Sequence, residues 1–280
     1  MPETAQTVEV SPLTHLRAGQ GHPLVLVHGY LGGSAMWRQQ LAALSADFDV
    51  IAPELPGYGG SHSALADASI DGYARQVLGL LDDIGVRQFH LLGHSMGGMI
   101  AQQITTMEPE RVTRLICYGT GPQGVLPDRF ETIDQSRTRL TTEGVAPTAR
   151  RIAATWFARG EAAAEFADCA ALGEHVSTAS ALAGLTAMEN WDGRAALAGM
   201  TQPTLIVWGD KDRSYGWQQP EALWKGIPGS NLAVMPGYGH NAHLENPELF
   251  NSIIRHFLTD DPQDPETNAD IITHNQNPDP

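Results

Sequence analysis

Residues 89–98 read FHLLGHSMGG, a stretch that contains a strand, a turn and the start of a helix. Phe89–Leu92 is a short apolar run, which is typical of a strand buried on both faces of a sheet. The following pattern, Gly93-His94-Ser95-Met96-Gly97, is G-x-S-x-G, and a helical periodicity starts at Met96. A serine on such a turn adopts strained backbone angles, so small residues are needed two positions to either side. The stretch therefore predicts that Ser95 projects from the edge of a sheet as a candidate nucleophile.

Similar apolar runs alternate with helical segments along the chain. Strands are predicted at Leu24–Val27, Val50–Ala52, Phe89–Leu92, Leu115–Tyr118, Leu205–Trp208 and Leu232–Met235. Helices are predicted at Ser34–Ser45, Ile70–Ile84, Met96–Met107, Trp217–Lys225 and Pro247–Phe257. This alternation predicts an α/β fold with a doubly wound, mostly parallel sheet.

The alternation stops between residues 121 and 200, which are rich in Ala, Arg and Glu and contain no convincing strand. The stretch follows a predicted strand, and α/β folds bind ligands beyond the carboxyl ends of their strands. We therefore predict a helical cap at 121–200, inserted into a core made of residues 1–120 and 201–258. Residues 259–280 carry six acids, four prolines and no Lys or Arg, which predicts a solvated acidic tail.

Composition excludes several classes of function. The 280 residues include 17 Lys and Arg against 32 Asp and Glu, a net charge of −15, so neither nucleic acid nor an anionic membrane is an expected partner. No apolar run approaches the roughly 18 residues that a membrane span requires, and the amino terminus lacks the pattern of a secretory signal. Two cysteines are too few for a disulfide scaffold or a four-thiolate zinc site. We expect a cytoplasmic protein, and its oligomeric state stays open.

Cofactor motifs are also missing from the sequence. Neither G-x-G-x-x-G nor G-x-x-x-x-G-K-[ST] occurs, so a phosphate-binding turn is not predicted. His240 and His243 have the spacing of a metal pair, but no third ligand of suitable spacing follows. We therefore predict that activity needs no metal and no organic cofactor.

Two further loops follow predicted strands and carry the groups that a nucleophilic serine needs. Residues 208–213 read WGDKDR and residues 236–240 read PGYGH. Because carboxyl ends of parallel strands meet at one edge of a sheet, His240 and either Asp210 or Asp212 are expected near Ser95. A serine hydroxyl becomes an effective nucleophile when a histidine takes its proton and an acid orients that histidine.

Together these features resemble the α/β-hydrolase superfamily over roughly residues 10–258. The matching segments are residues 27–30 (VHGY), residues 56–61 (PGYGGS), the Ser95 turn, and His240 with Glu245-Asn246-Pro247. The order serine, acid, histidine along the chain is also that of the superfamily.

The resemblance implies a role for each residue of a catalytic triad. Ser95 is the expected nucleophile, His240 the base, and the backbone N–H groups of Tyr30 and Met96 the oxyanion hole. The family's acid lies three positions after the glycine at its strand end, which selects Asp212. A physical reason agrees, because the acid must reach His240 from a loop that has already left the sheet.

Within the superfamily, the segment from Arg139 to Phe157 resembles 3-oxoadipate enol-lactone hydrolases and related carboxylesterases. The resemblance implies a serine hydrolase that cleaves a small-molecule carboxylic ester or lactone through an acyl-enzyme. Hydrolases of C–C bonds in meta-cleavage products are the alternative, although they usually have an aromatic residue where this chain has Asn241. Haloalkane dehalogenases and epoxide hydrolases are excluded, because they carry Asp at the position of Ser95. A non-catalytic ligand-binding relative is the alternative from another class.

The predicted cap supplies candidate substrate contacts. Trp156, Met188 and Trp191, with Phe157, either line a pocket or form the core of the cap. Four cap arginines either bind a substrate carboxylate or are solvated, and these are Arg137, Arg139, Arg150 and Arg151.

Overall fold

A computed structural model describes residues 13–64, 67–126 and 129–259. The strands in these residues are His15–Ala18 (β1), His22–Val27 (β2), Phe48–Pro53 (β3), Phe89–His94 (β4), Val112–Tyr118 (β5), Thr204–Gly209 (β6) and Asn231–Met235 (β7). They form one sheet in the order β1-β3-β2-β4-β5-β6-β7. Strand β1 is antiparallel to β3, and the other neighbours are parallel. The predicted doubly wound, mostly parallel sheet is confirmed.

Strand β1 is the strand that the sequence analysis missed. Its four residues, HLRA, are mostly half-buried, so they lack the apolar run of a central strand. Its extended form depends on pairing with β3, a contact across more than 30 residues of chain, from Ala18 to Val50.

The α-helices in the described residues are Arg38–Leu44 (α1), Ile70–Asp83 (α2), Met96–Met107 (α3), Ile133–Thr142 (α4), Val145–Ala154 (α5), Phe166–Glu174 (α6), Thr178–Glu189 (α7), Gln218–Gly226 (α8), Ala242–Glu245 (α9) and Pro247–Thr259 (α10). The single helix predicted over 34–45 is divided into a 3₁₀ turn, Ser34–Trp37, and α1. None of the described helices is both long and apolar enough to cross a membrane.

Both faces of the sheet are buried under helices. Alternate residues of a strand point to opposite faces. In β2 and β4, Val25 and Leu91 therefore pack in the cluster that includes α2 and α3 residues. Leu24 and Leu92 pack in a second cluster, with residues of α1 and α10. These two apolar layers explain why the central strands are nearly continuous hydrophobic runs.

Helices α4 to α7 occupy the segment predicted as a cap, between β5 and β6. Helix α5 packs on α6, and α4 packs on α7. Ile152 and Phe166 of these helices belong to the same buried cluster as the residues of α2 and α3. At the other end of the chain, Thr259 is the last residue of α10, and the rest of the predicted acidic tail, 260–280, lies outside the described residues.

Candidate active site

Ser95 lies on the turn between β4 and α3 with backbone angles of φ 57° and ψ −122°. Among the described residues, only Ser95 and Leu31 combine a side chain with a positive φ. Such strain persists where the surrounding structure imposes it, and often marks a functional site. The loop after β2 passes directly beside this turn, since a Cβ built on Gly29 would lie 2.8 Å from the Ser95 Cβ. Glycine at position 29 therefore lets the two loops meet.

His240 and Asp212 form a buried pair from the loops after β7 and β6. The His240 Nδ1 atom lies 2.7 Å from Asp212 Oδ2, and the two side chains are 1% and 0% exposed. The other carboxylate oxygen accepts hydrogen bonds from the backbone N–H groups of Ser214, at 2.7 Å, and Tyr215, at 3.0 Å. An ionised Asp212 that accepts from Nδ1–H leaves the Nε2 of a neutral His240 without a proton, as a general base requires.

Asp210 has a different environment. Its Oδ1 accepts a hydrogen bond of 2.6 Å from the backbone N–H of Gly237, and its Oδ2 lies 3.6 Å from Lys211 Nζ. Asp210 therefore braces the loop that leads to His240. The geometry brings Asp212, and not Asp210, to the histidine.

Two backbone N–H groups near Ser95 have no acceptor among the residues that the structure describes. Neither the Tyr30 nor the Met96 N–H donates to another group within the described part of the chain. Met96 is the first residue of α3, where the helix dipole favours negative charge. His28 lies beneath the adjacent loop, where its Nδ1 donates to Gly29 O at 2.9 Å and its Nε2 accepts from Leu55 N at 3.0 Å. The arrangement suits an oxyanion hole, with His28 as its support.

A layer of buried rings holds the backbone of His240. Tyr118 Oη and His94 Nε2 both donate to the His240 carbonyl oxygen, at 2.8 and 3.1 Å. The His94 ring centre lies 4.4 Å from that of His240. Burial lowers the pKa of His94 well below its ordinary value, so it is a neutral donor. Both donors fix the loop without adding a charge beside the candidate base.

A narrow pocket opens from Ser95 toward the helical insertion. Its other walls are Tyr30, Gly124, Leu126, Arg129, Phe130, Ile152, Trp156, Met188, Ser214 and Tyr215. Two of the predicted contacts, Trp156 and Met188, are among these walls. The structure does not bring Trp191 or Phe157 to the pocket, because the Trp191 ring packs on Gly193 and Phe157 is fully buried in the core.

Sequence reasoning missed Arg129 and Tyr215. The Tyr215 ring stacks on His240, with centres 5.5 Å apart and planes 13° from parallel. Burial raises the pKa of the Tyr215 phenol to about 12, which keeps it neutral. A signal for Tyr215 was available, because it lies in the loop after the predicted strand Leu205–Trp208. No comparable signal distinguished Arg129, which lies well beyond the predicted strand Leu115–Tyr118.

The four arginines that the sequence left open, as carboxylate ligands or solvated side chains, are paired with acids. Arg137 lies 2.6 Å from both Asp134 and Glu189. The others follow the same pattern: Arg139 lies 3.0 Å and Arg151 3.1 Å from Glu143, and Arg150 lies 3.3 Å from Glu161. None of the four lines the Ser95 pocket.

The residues that the structure describes contain no cluster of three or more His, Cys, Asp or Glu side chains that could hold a metal ion. Cys117 and Cys169 are both buried and unpaired. Burial raises the pKa of each thiol to about 12, so neither is a thiolate at neutral pH.

Comparison with known proteins places this arrangement in a family. The sequence profile described as alpha/beta hydrolase fold matches residues 22–247. The chain belongs to the α/β-hydrolase family.

Individual relatives are hydrolases of several kinds. A putative carbamate hydrolase RutD of Pseudomonas savastanoi pv. phaseolicola is 29% identical over 245 residues, covering 84% of this chain and 93% of the relative. An enol-lactonase of Burkholderia xenovorans LB400 superposes with a TM-score of 0.82 at 22% identity, covering 89% of this chain and 96% of the other. An esterase of Thermogutta terrifontis, with malate bound, superposes with a TM-score of 0.80 at 26% identity, covering 88% and 92%. Family membership and these relatives support a hydrolase.

Proposed function

We propose that this protein is a serine hydrolase that cleaves a small carboxylic ester or lactone through an acyl-enzyme on Ser95. The observation that carries the proposal is the buried pair of His240 and Asp212, 2.7 Å apart, on the same sheet edge as Ser95. The strained backbone of Ser95 and the free N–H groups of Tyr30 and Met96 supply the remaining parts. No cofactor is required, and we place the enzyme in the cytoplasm as part of the proposal.

The mechanism begins when Ser95 Oγ attacks the substrate carbonyl carbon. His240 Nε2 accepts the hydroxyl proton, and Asp212 stabilises the resulting imidazolium. The N–H groups of Tyr30 and Met96 donate to the tetrahedral oxyanion. When this intermediate collapses, the C–O bond of the ester breaks and His240 protonates the departing alkoxide. Water, deprotonated by His240, then attacks the acyl-enzyme and releases the carboxylic acid and free Ser95.

Related substrates share this chemistry. In a lactone the leaving alkoxide stays attached to the acyl group, so a single ring-opened hydroxy acid is released. A carbamate presents a similar carbonyl, and the RutD relatives make carbamates part of the substrate panel. Hydrolysis of a C–C bond requires a carbanion leaving group, and a vinylogous diketone in the panel tests that alternative.

The first prediction concerns Ser95→Ala. Because triad members act as a unit, we expect kcat on p-nitrophenyl acetate to fall by about 10⁴- to 10⁶-fold. Circular dichroism and thermal unfolding should remain close to those of the wild type. In the wild type, a fluorophosphonate probe should add its mass to the peptide that contains Ser95, and in Ser95→Ala this labelling should be lost.

Ser45→Ala is the matched control, since Ser45 lies at the end of α1, away from the pocket. This variant should retain wild-type turnover and labelling. The proposal is wrong if Ser95→Ala keeps turnover within tenfold of the wild type, or if the probe labels the two proteins equally. Absence of turnover by the wild type across esters, lactones and carbamates, with ligand binding intact, would favour the non-catalytic alternative.

A further inference from the structure

The segment that carries the Tyr30 N–H has an unfavourable backbone conformation. Residues 28–34 read HGYLGGS and directly follow β2, and we call them the Tyr30 segment. Leu31 has a φ of 54°, in a region that residues other than glycine seldom adopt. The Gly32 N–H donates to the Gly29 carbonyl oxygen at 3.1 Å, so the segment turns tightly around Tyr30. Such a conformation persists only where surrounding groups impose it.

Glu54, the residue after β3, contacts the Tyr30 segment at both of its ends. Its carboxylate is buried, and its Oε1 accepts a hydrogen bond of 3.1 Å from the backbone N–H of Ser34. Its Oε2 accepts a hydrogen bond of 2.7 Å from the Ser34 hydroxyl. The same Oε1 lies 3.4 Å from His28 Nε2, at the start of the segment. One buried side chain therefore links the first and last residues of the segment.

The surroundings of this carboxylate are tightly packed. A Cβ built on Gly59 would lie 2.6 Å from Glu54 Cδ, and one built on Gly33 would lie 3.0 Å from Oε1. Burial raises the pKa of the Glu54 carboxyl, but the contacts with His28 and Ser34 lower it by more, so the group is ionised at neutral pH. A carboxylate only accepts hydrogen bonds, and bonds to an ionised acceptor are stronger than those between neutral groups. Glu54 is therefore suited to hold a strained segment in place.

We propose that Glu54 is a positioning residue, which holds the Tyr30 segment through Ser34 and His28 so that the Tyr30 N–H faces the oxyanion. The inference rests on the proposed function, because Tyr30 supplies one of the two oxyanion donors. Glu54 does not line the pocket beside Ser95, so it acts through the segment and not on the substrate. A displacement of about 1 Å in a catalytic group can lower a rate by about 100-fold.

The kinetic test replaces the carboxylate by an apolar group of similar length. Glu54→Leu should lower kcat on p-nitrophenyl acetate by about 10- to 100-fold with little change in KM, because the oxyanion bond forms only in the transition state. Glu54→Gln should keep kcat within about fivefold of the wild type, because its amide oxygen can accept from the Ser34 N–H while its NH₂ group donates to the hydroxyl oxygen. Ser34→Ala removes one of the two hydrogen bonds and should lower kcat by about 3- to 10-fold.

A transition-state analogue separates positioning from a loss of folded protein. With 1,1,1-trifluorobutan-2-one, Ser95 Oγ adds to the ketone carbon, its proton passes to His240 and the ketone oxygen becomes an oxyanion. The Ki of this ketone should rise in Glu54→Leu by about the factor by which kcat/KM falls. The acid limb of the pH profile of kcat/KM, which reports His240, should not move.

Asp49→Asn is the matched control for Glu54→Leu. Asp49 is also a buried acid of the β3 segment, and it lies 2.7 Å from Arg17 and away from the pocket. This variant should lose stability but keep kcat and Ki within about threefold of the wild type. An equal fall of kcat in Asp49→Asn would mean that destabilisation, and not positioning, explains the effect of Glu54→Leu.

Hydrogen exchange keeps this inference distinct from the proposed function. In Glu54→Leu, the backbone amides of residues 28–34 should exchange about tenfold faster or more, and those of α3 should not change. If the wild type hydrolyses no ester but exchange responds in this way, Glu54 holds the segment and the proposed reaction fails. Wild-type kcat and Ki in Glu54→Leu and Ser34→Ala would overturn the positioning role and leave the serine mechanism in place. If Glu54→Leu does not fold, kcat and Ki of Ser34→Ala decide the question.

Discussion

The buried carboxylate of Asp212 takes part in three hydrogen bonds. Its Oδ2 faces His240, and its Oδ1 accepts from the backbone of Ser214 and Tyr215. The same carboxylate thus orients the candidate base and shapes the loop that carries two walls of the pocket. Asp210, two residues earlier, accepts from the Gly237 N–H and lies beside the side chain of Lys211.

Asp212→Asn should lower kcat by about 10³- to 10⁴-fold, because an amide that donates to Nδ1 forces the proton of His240 onto Nε2. The measurement is kcat at saturating ester, with KM determined in parallel. Asp210→Asn is the control, since its amide oxygen can still accept from Gly237, and we expect kcat within about threefold of the wild type. Collapse of kcat in Asp210→Asn with normal turnover in Asp212→Asn would reverse the assignment.

At the scale of elements, the helical insertion is tied directly to the loop that carries His240. Glu245 accepts hydrogen bonds from the backbone of Ala158, at 2.8 Å, and of Gly239, at 2.6 Å. The N–H of Asn241 donates to the Trp156 carbonyl oxygen at 2.8 Å. The cap segment around Trp156 and the histidine loop are therefore held as one unit.

Helix α7 provides a test of whether the insertion selects substrates. Met188→Ala enlarges the pocket that Ser95 shares, so kcat/KM should rise for longer acyl chains relative to acetate by about 10-fold or more. A series of p-nitrophenyl esters from acetate to octanoate measures the change.

Leu185→Ala on the same helix is the control, because Leu185 is fully buried but does not line the pocket. Both variants should lose about 2–4 kcal/mol of unfolding free energy. Only Met188→Ala should change the order of preference. The same shift in both variants would mean that it follows from destabilisation and not from the wall of the pocket.

At the scale of the whole molecule, three buried histidines contribute to the loss of stability in acid. Burial lowers the pKa of His90 and of His243 from 6.5 to about 3, and that of His94 well below 6.5. In the unfolded chain these side chains accept protons near their ordinary pKa. The unfolded state therefore binds more protons than the folded state between about pH 6.5 and pH 3.

The free energy of unfolding should consequently fall as the pH drops below about 6.5, by about 1.4 kcal/mol per pH unit for each histidine that stays neutral in the folded state. Urea titrations at pH 8, 7, 6 and 5 measure the slope. His90→Asn should reduce the slope by about one proton, whereas His256→Asn, at an exposed position of α10, serves as the control. A free energy of unfolding that stays constant from pH 8 to pH 5 would contradict this account.

Much of the fold and several candidate residues followed from the sequence because their signals are local. A central parallel strand is a run of apolar residues, and the tight turn at Ser95 requires glycine at positions 93 and 97. The apolar run and the G-x-S-x-G spacing both lie within about ten residues, so they can be recognised in the sequence alone. The structure adds a second reason for glycine at position 97, because a Cβ there would lie 2.3 Å from the Val27 carbonyl oxygen of β2. The same locality explains why Ser95 and His240 could be named at strand ends before their surroundings were known.

Tertiary structure alone decided which groups meet. Strand β1 pairs with β3, and Arg137 pairs with Glu189, through contacts between distant segments. The position of Trp191, which packs on Gly193 outside the pocket, also became visible only in the folded chain. Geometry also placed Arg129 in the wall of the Ser95 pocket, whereas Arg137 is paired with Asp134 and Glu189. Contacts of this kind join segments that are distant in the chain, so they form only when the chain has folded and no local pattern in the sequence specifies them.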